Sequence, residues 1–387
     1  MLAHVSYPSF ADFALKLYHI AKRVAVLDMA SVLLDATGLP ELTERQEKIL
    51  ALIIHEYTNR PEPVGSKFLA ETYLLNLSSA TIRNEMARLE ELGLLTAPHT
   101  SAGRVPTESG YRYFVRRLLS DELPPDEKQA LDSAFASAAN DLEGGLRLAA
   151  ALIARNAQGA ALVTSPRAVN SQYKHLALLA AQGRAVVMVL VLHGGEVRQQ
   201  MLTLSEAPSQ ERLSAVAAQL NATCEGLNAD QVRSRAKQVE NELAREIIEA
   251  TADVMEEADR APARFTYCEG LSEVLPLFTE RIGAQQAIRA IEEQQVLQDI
   301  VAELPDWAIG QVRVVIGGEG RWENLQHLGM VISRYGVPEQ TTGALLVLGP
   351  TRMHYGRAVA TVRHMAGLIS DMLLTIYGEG GERHRNN

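Results

Sequence analysis

The sequence predicts an α+β fold, on three observations. Apolar residues recur at helical spacing through the first third of the chain, short apolar runs of strand length follow beyond residue 160, and one long helical pattern closes the chain near Tyr377. With 387 residues, 47% of them hydrophobic, and a mean hydropathy of -0.05, the chain has room for two or three domains. No uninterrupted apolar run reaches the roughly 18 residues of a spanning helix. Cys224 and Cys268 have no CxxC spacing, which gives neither a disulfide framework nor a zinc site any support. A cytoplasmic protein without cofactor or metal is expected.

Residues 1–40 read as an N-terminal extension of unknown role, appended or mis-started. Leu15, Leu17, Ile20, Val24 and Leu27 suit an amphipathic helix, and Met29 offers a second start. From Glu41 the pattern sharpens. Thr43 and Gln46 form a capping box, and Ile49, Leu52, Ile53 and Tyr57 carry a first helix to about Tyr57. Asn59 to Pro63, polar and proline-containing, ends it. Val64, Gly65 and Ser66 lead into a short second helix ending near Tyr73. Leu74 to Leu77 turn, and Ser78 caps a third helix that Gly93 stops.

Two helices joined by a short turn, the second starting on a serine cap, have the layout of a helix-turn-helix. Leu94 to Thr96 and Val105 read as strands around Pro98 to Arg104, a hairpin with a small, polar, basic tip. That is a wing. Thr107 to Leu119 then forms a helix with Tyr111, Phe114, Val115 and Leu118 on one side.

After Pro124-Pro125 an alanine-rich helix is predicted over Asp126 to Asn156. Strands follow at Ala160 to Val163, Lys174 to Leu179, Ala185 to Leu192 and Glu196 to Leu204. Ser209 to Asn221 and Ala229 to Glu257 read as helices, Arg264 to Cys268 as a strand, and Leu271 to Glu303 as helical again. Val312 to Ile316, Gly329 to Tyr335 and Ala344 to Leu348 are strands, and Gly356 to Tyr377 is the final helix. Strands, helices and strands in that order describe an α+β body interrupted by an insert around 204–271.

On the third helix, Ile82, Met86 and Leu89 form the inward stripe at 100° per residue. The opposite face holds Ala80 and Asn84 with Thr81, Arg83 and Arg88 at its flanks, and Ser79 at the leading end. Small side chains let such a helix enter a major groove, where Asn reads adenine and Arg reads guanine or clamps phosphate. Taken alone, this is also what an ordinary solvated helix face looks like. The wing, with His99, Thr100, Ser101 and Arg104, supplies phosphate donors beside it and favours DNA.

The net charge of -10, taken as a total, counts against that. Residues 41–119 hold ten basic and ten acidic side chains, and residues 120–387 hold 24 basic against 34 acidic, so the excess lies beyond the candidate reader. An enzyme finds little support. Gly317-Gly318-Glu319-Gly320 is neither GxGxxG nor a Walker loop, and no HExxH, GxSxG or Cys-His pairing appears. His193, His327, His354 and His364 are scattered, and Arg352 suits an internal salt bridge better than an anion site.

The blocks LTERQEKIL (42–50), EPVGSKFLAE (62–71), SSATIRNEMARLEELGLL (78–95) and PHTSAGRVPTESGYRYFV (98–115) resemble the HrcA family of heat-inducible transcription repressors. Val314 to Glu319 and Leu346 to Tyr355, which contains VLGPTRMHY, resemble the end of that family. The likeness runs over about 41–378, and residues 1–40 stand outside it. It implies a winged-helix DNA-binding domain over 41–119, a GAF-like domain over 120–203 and 272–378, an inserted dimerisation domain over 204–271, and a disordered tail at 379–387. It further implies a homodimer on an inverted-repeat operator of chaperonin and DnaK-system genes, with the GroEL-type chaperonin maintaining competence. The rival from another class is a small-molecule sensor whose GAF-like pocket binds a ligand. A cavity lined by convergent polar groups would favour it over a core filled by Leu, Val and Met.

Overall fold

The computed structural model describes residues 32–33, 39–73, 76–98, 103–117, 119, 122–137, 141–193, 196–260, 264–302, 309–317, 322–338 and 340–383. The helix expected over Leu15 to Leu27 and the alternative start Met29 lie outside them. Within the extension, Val32–Leu33 form β1, a parallel edge strand beside Val312 and Arg313, and description resumes at Leu39.

The first third builds as its local signals dictate. α1 (Glu44–Asn59) starts on the reciprocal Thr43/Gln46 capping box. α2 (Ser66–Thr72) follows, and α3 (Ser79–Glu91) begins with the Ser78 hydroxyl accepting from the Thr81 N–H. Gly93 then takes φ +74°, a left-handed turn that suits glycine. β2 (Leu95–Thr96) pairs with β3 (Val105–Pro106), and Val64 and Arg104 exchange backbone hydrogen bonds of 2.9 Å, adding a third rung to the hairpin. α4 (Glu108–Arg117) packs Tyr111, Tyr113 and Val115 inward.

Beyond it, the predicted single helix over 126–156 is two, α5 (Pro125–Ala136) and α6 (Leu142–Ala157). Alanine-rich periodicity continues across the gap, but the Asp141 carboxylate accepts from the N–H groups of Glu143 and Gly144 and starts a fresh helix.

The central sheet contains β4 (Ala160–Thr164), β5 (Arg167–Ala168), β9 (Phe265–Glu269), β10 (Val312–Ile316), β11 (Leu328–Val337) and β12 (Thr341–Pro350). Its order is β1-β10-β11-β12-β4-β9, with β5 beside β12, and only β1 runs parallel to its neighbour. Both faces are covered, so the strands read as near-continuous apolar runs. Val314, Val331, Leu345 and Val347 meet one layer, formed by α6 and α13 (Tyr355–Arg383). Val315, Met330, Ile332, Leu346 and Leu348 share the other core with Ala287, Leu297 and Ile300 of α11 (Arg281–Glu293) and α12 (Gln295–Ala302). The helical stretch expected over 271–303 is divided into a short α10 (Leu271–Val274), a 3-10 turn, α11 and α12, the last two separated by Gln294 at φ 53°.

The long α13 is apolar enough over Tyr355–Ile376 to cross a membrane by composition alone. Here its Val359, Val362, Met365 and Ile369 are fully buried beneath the sheet, which accounts for that composition. It continues into the expected tail as far as Arg383, since extending an existing helix is far easier than nucleating one. Residues 384–387 lie outside the described set.

Between β5 and β9 the chain forms a separate body with its own core. β6 (Tyr173–Ala180), β7 (Ala185–Leu192) and β8 (Val197–Thr203) make an antiparallel meander covered on one face by α7 (Gln210–Cys224), α8 (Ala229–Ala236) and α9 (Glu242–Arg260). Leu176, Leu178, Val186, Met188 and Leu190 pack with Leu213, Val216, Leu220, Ile247 and Met255. By its core the insert therefore begins near Tyr173, whereas the sequence places it at 204–271 and gives these strands to the surrounding domain. The single helix expected over 229–257 is again split, because the Asn241 side chain accepts from the N–H groups of Leu243 and Ala244.

Candidate nucleic-acid interface

α3 carries the candidate reading face, and its placement follows from three buried residues. Ile82, Met86 and Leu89 are 0%, 4% and 0% exposed, anchoring one side in the core of the first domain. The opposite side is then forced outward: Ala80, Arg83, Asn84 and Arg88 are exposed, and Ser79 and Thr81 are partly so. Arg83 and Asn84 are exposed on this face and make no side-chain hydrogen bond or ion pair among the described residues.

The remaining predicted residues are tied locally. The Ser79 hydroxyl is 3.1 Å from that of Ser66, joining α3 to α2, and the Thr81 hydroxyl is 2.9 Å from Ser78 in the cap. The Arg88 guanidinium donates to Glu91 at 2.6 Å across one helical turn. An exposed pair of this kind is worth little, well under about 1 kcal/mol, so Arg88 remains available to a phosphate. His99, Thr100 and Ser101 lie outside the described residues.

Arg104 departs from the expectation of a free phosphate donor. Its Nε and Nη2 both lie 2.8 Å from Glu90 Oε2, and the side chain is less than a quarter exposed. A fork held by one carboxylate joins the wing to the C-terminal end of α3. Glu90 is not among the residues that the sequence pattern singles out. The available signal was its sign, since an acidic residue at a helix C-terminus opposes the helix dipole and invites a cationic partner. The substitution E90Q is expected to loosen Arg104 and strengthen binding to any duplex. The slope of log K against log salt should steepen by up to about one unit, measured on a scrambled duplex.

The rest of the domain holds α3 at a fixed angle. Glu85, on the side of α3 facing α1, accepts from Arg45 at 3.3 Å and from Gln46 at 3.1 Å. Tyr73 donates to Glu56, and Tyr113 donates to Glu47 at 2.6 Å. Burial, reinforced by the Glu47 carboxylate, holds the Tyr113 phenol above its ordinary value, so it stays a donor at neutral pH. Such a frame leaves the reading face as the adaptable part.

Two of the scattered histidines, His327 and His364, and Arg352 find partners. His364 is 2.6 Å from Asp132, and His327 is 3.7 Å from Glu280. Arg352 makes no salt bridge among the described residues. It donates instead to the carbonyl of Thr58, at 3.4 Å, and to that of Leu277. Gly317 follows β10 with φ +60°, a conformation that suits glycine, and Gly318 to Gly320 lie outside the described residues.

Comparison with known proteins agrees with this geometry. Residues 41–118 match the winged helix-turn-helix transcription repressor, HrcA DNA-binding family model, and residues 143–359 match the HrcA protein C terminal domain model. The heat-inducible transcription repressor HrcA of Roseiflexus castenholzii is 38% identical over 354 residues, 89% of this chain and 98% of that protein. Those of Chloroflexus aurantiacus and Thermomicrobium roseum are 36% and 34% identical, covering 87% and 88% of this chain and 95% and 99% of theirs. A crystal structure of a protein described only as hypothetical shares the fold, with a TM-score of 0.53 at 22% identity over 87% of this chain and 99% of its own. With its reading helix, its hairpin and these relatives, the chain belongs to the HrcA family of heat-inducible transcription repressors.

Proposed function

We propose that this chain, a regulator and not an enzyme, represses chaperonin and DnaK-system operons in the cytoplasm by binding an inverted-repeat operator as a homodimer. The GroEL-type chaperonin maintains its competence. The observation that carries the reading is α3 itself, with Arg83 and Asn84 outward on a helix whose other side is fully buried. Under this reading Ser79, Ala80, Thr81, Arg83, Asn84 and Arg88 line the major groove, while His99, Thr100 and Ser101 approach the backbone.

The dimer is supported by the uncovered face of the β6-β7-β8 meander. Leu179, Val187 and Met201 form one cross-strand row there, and His175, Val191 and Val197 another. Leu179, Val197 and Met201 are more than half exposed, where an antiparallel sheet facing water ordinarily carries polar side chains. A second copy covering this face would make the insert the dimerisation domain. The sheet flanked by α6 and α13 is the GAF-like domain of this reading. The space between them is filled by Val314, Val347, Met365 and Ile369, which favours a packing body over a ligand sensor.

The test is a titration of an inverted-repeat duplex and a scrambled control at fixed salt, with and without chaperonin. Preference for the repeat of a hundredfold or more is expected, as for specific over non-specific binding generally. Equal affinity for both duplexes in both arms would defeat the reading.

A further inference from the structure

Two segments far from the reader, around Ile316-Gly317 and Thr351 to Tyr355, take no part in the proposed DNA contact, yet both meet the winged helix. Arg112 of α4 donates through Nη2 to the Ile316 carbonyl at 2.9 Å and to Glu108 at 3.1 Å. The approach is close enough that a Cβ at Gly317 would lie 2.2 Å from the Glu108 carboxyl carbon. From the other segment, the Arg352 guanidinium links the carbonyl of Thr58, near the end of α1, to that of Leu277 in the body. Tyr355 is fully buried, with its ring 6.1 Å from that of Tyr111 in α4 and its hydroxyl donating to the Thr351 carbonyl.

We infer that these contacts form a seat that fixes the angle of the reading helix relative to the body, making Arg112 and Arg352 positioning residues that select operator half-site spacing. Arg352 bonds two main-chain carbonyls, and Arg112 bonds one while held by Glu108 of its own helix; carbonyl positions are set by the fold, so these guanidinium groups transmit orientation rather than mere attraction. In a two-fold dimer the distance between two reading helices decides which spacing is bound, and it is defined only if each reader is rigid on its body. Loosening the seat widens the range of angles each reader takes on its shared core, so several spacings come within reach, each at a lower effective concentration.

The inference rests on the proposed dimeric repressor, and two measurements separate their failures. R112M and R352M keep the apolar stem of each side chain and remove the fork. On the full-length protein without DNA, amide exchange over Val312 to Gly317 and Met353 to Ala358 is expected to quicken at least about tenfold, with Ile82 to Leu89 unchanged. Unchanged exchange at the seat in both variants overturns the inference whether or not an operator is bound.

In the second measurement, inserting five base pairs, about half a helical turn, between the half-sites is expected to weaken wild-type binding at least about thirtyfold. The variants should lose less than about fivefold while binding a single half-site as the wild type does. Full spacing discrimination in folded, dimeric variants overturns the inference. So does an equal loss on the single half-site, which would place the two arginines in the stability of the reader itself. If wild type ignores the repeat altogether, the repressor reading fails while the exchange result still decides the seat.

Discussion

The double substitution R83A/N84A is expected to abolish preference for the operator while leaving the fold intact. Both side chains are exposed on α3, and neither contributes to the buried stripe of Ile82, Met86 and Leu89. Each bidentate base contact is worth about 1 to 3 kcal/mol of discrimination, so the pair should lower operator affinity by about 2 to 6 kcal/mol. As adjacent residues they need not add, and the single variants bracket the coupling. Affinity for a scrambled duplex should fall much less, since the phosphate contribution is independent of sequence. Equal loss on both duplexes would remove these residues from base reading.

The second large effect is expected in the support of the wing. A Cβ at Gly110 would sit 2.2 Å from the Leu94 carbonyl oxygen, a backbone atom that also accepts from the Thr107 N–H at 3.1 Å. Thr107 in turn donates its hydroxyl to the Gly93 carbonyl at 2.6 Å and accepts from the Gly110 N–H. The substitution G110A must therefore push α4 off the hairpin or break the turn that starts the helix. Crowding of this kind costs about 1 to 3 kcal/mol, and here no flexible side chain can yield. Urea unfolding should show a lower midpoint at an unchanged slope, with G110V lower still. A wild-type midpoint would mean that the backbone accommodates the methyl group freely.

The reader was legible because its signals are local. The Thr43/Gln46 box, the Ser78 cap, the Gly93 stop and the Ile82-Met86-Leu89 stripe each lie within one turn or one face, and all stand in the structure. Breaks decided by a single capping side chain inside a continuing apolar pattern were not legible. Asp141 and Asn241 each start a fresh helix inside what periodicity alone reads as one long helix.

The insert's edge was hidden for a different reason. β6 to β8 alternate like any half-buried strands, and only their packing against Leu213, Ile247 and Met255 reveals which core they serve. Tertiary pairings were the least visible. Nothing near Arg104 in the sequence names Glu90 as its partner, and nothing near Arg352 names Thr58.

One hydrophobic core runs unbroken from Ile49 in α1, through Tyr111 and Tyr355, to Leu373 in α13. Side chains that share a core lose their order together, so the reader and the layer of α6 and α13 form one cooperative unit on heating. The insert, closed around a core of its own, is free to melt at a different temperature. On the proposed repressor reading, loss of grip on DNA and exposure of the apolar interior are then expected as a single transition in a thermal melt, with local fraying of the reader contributing little.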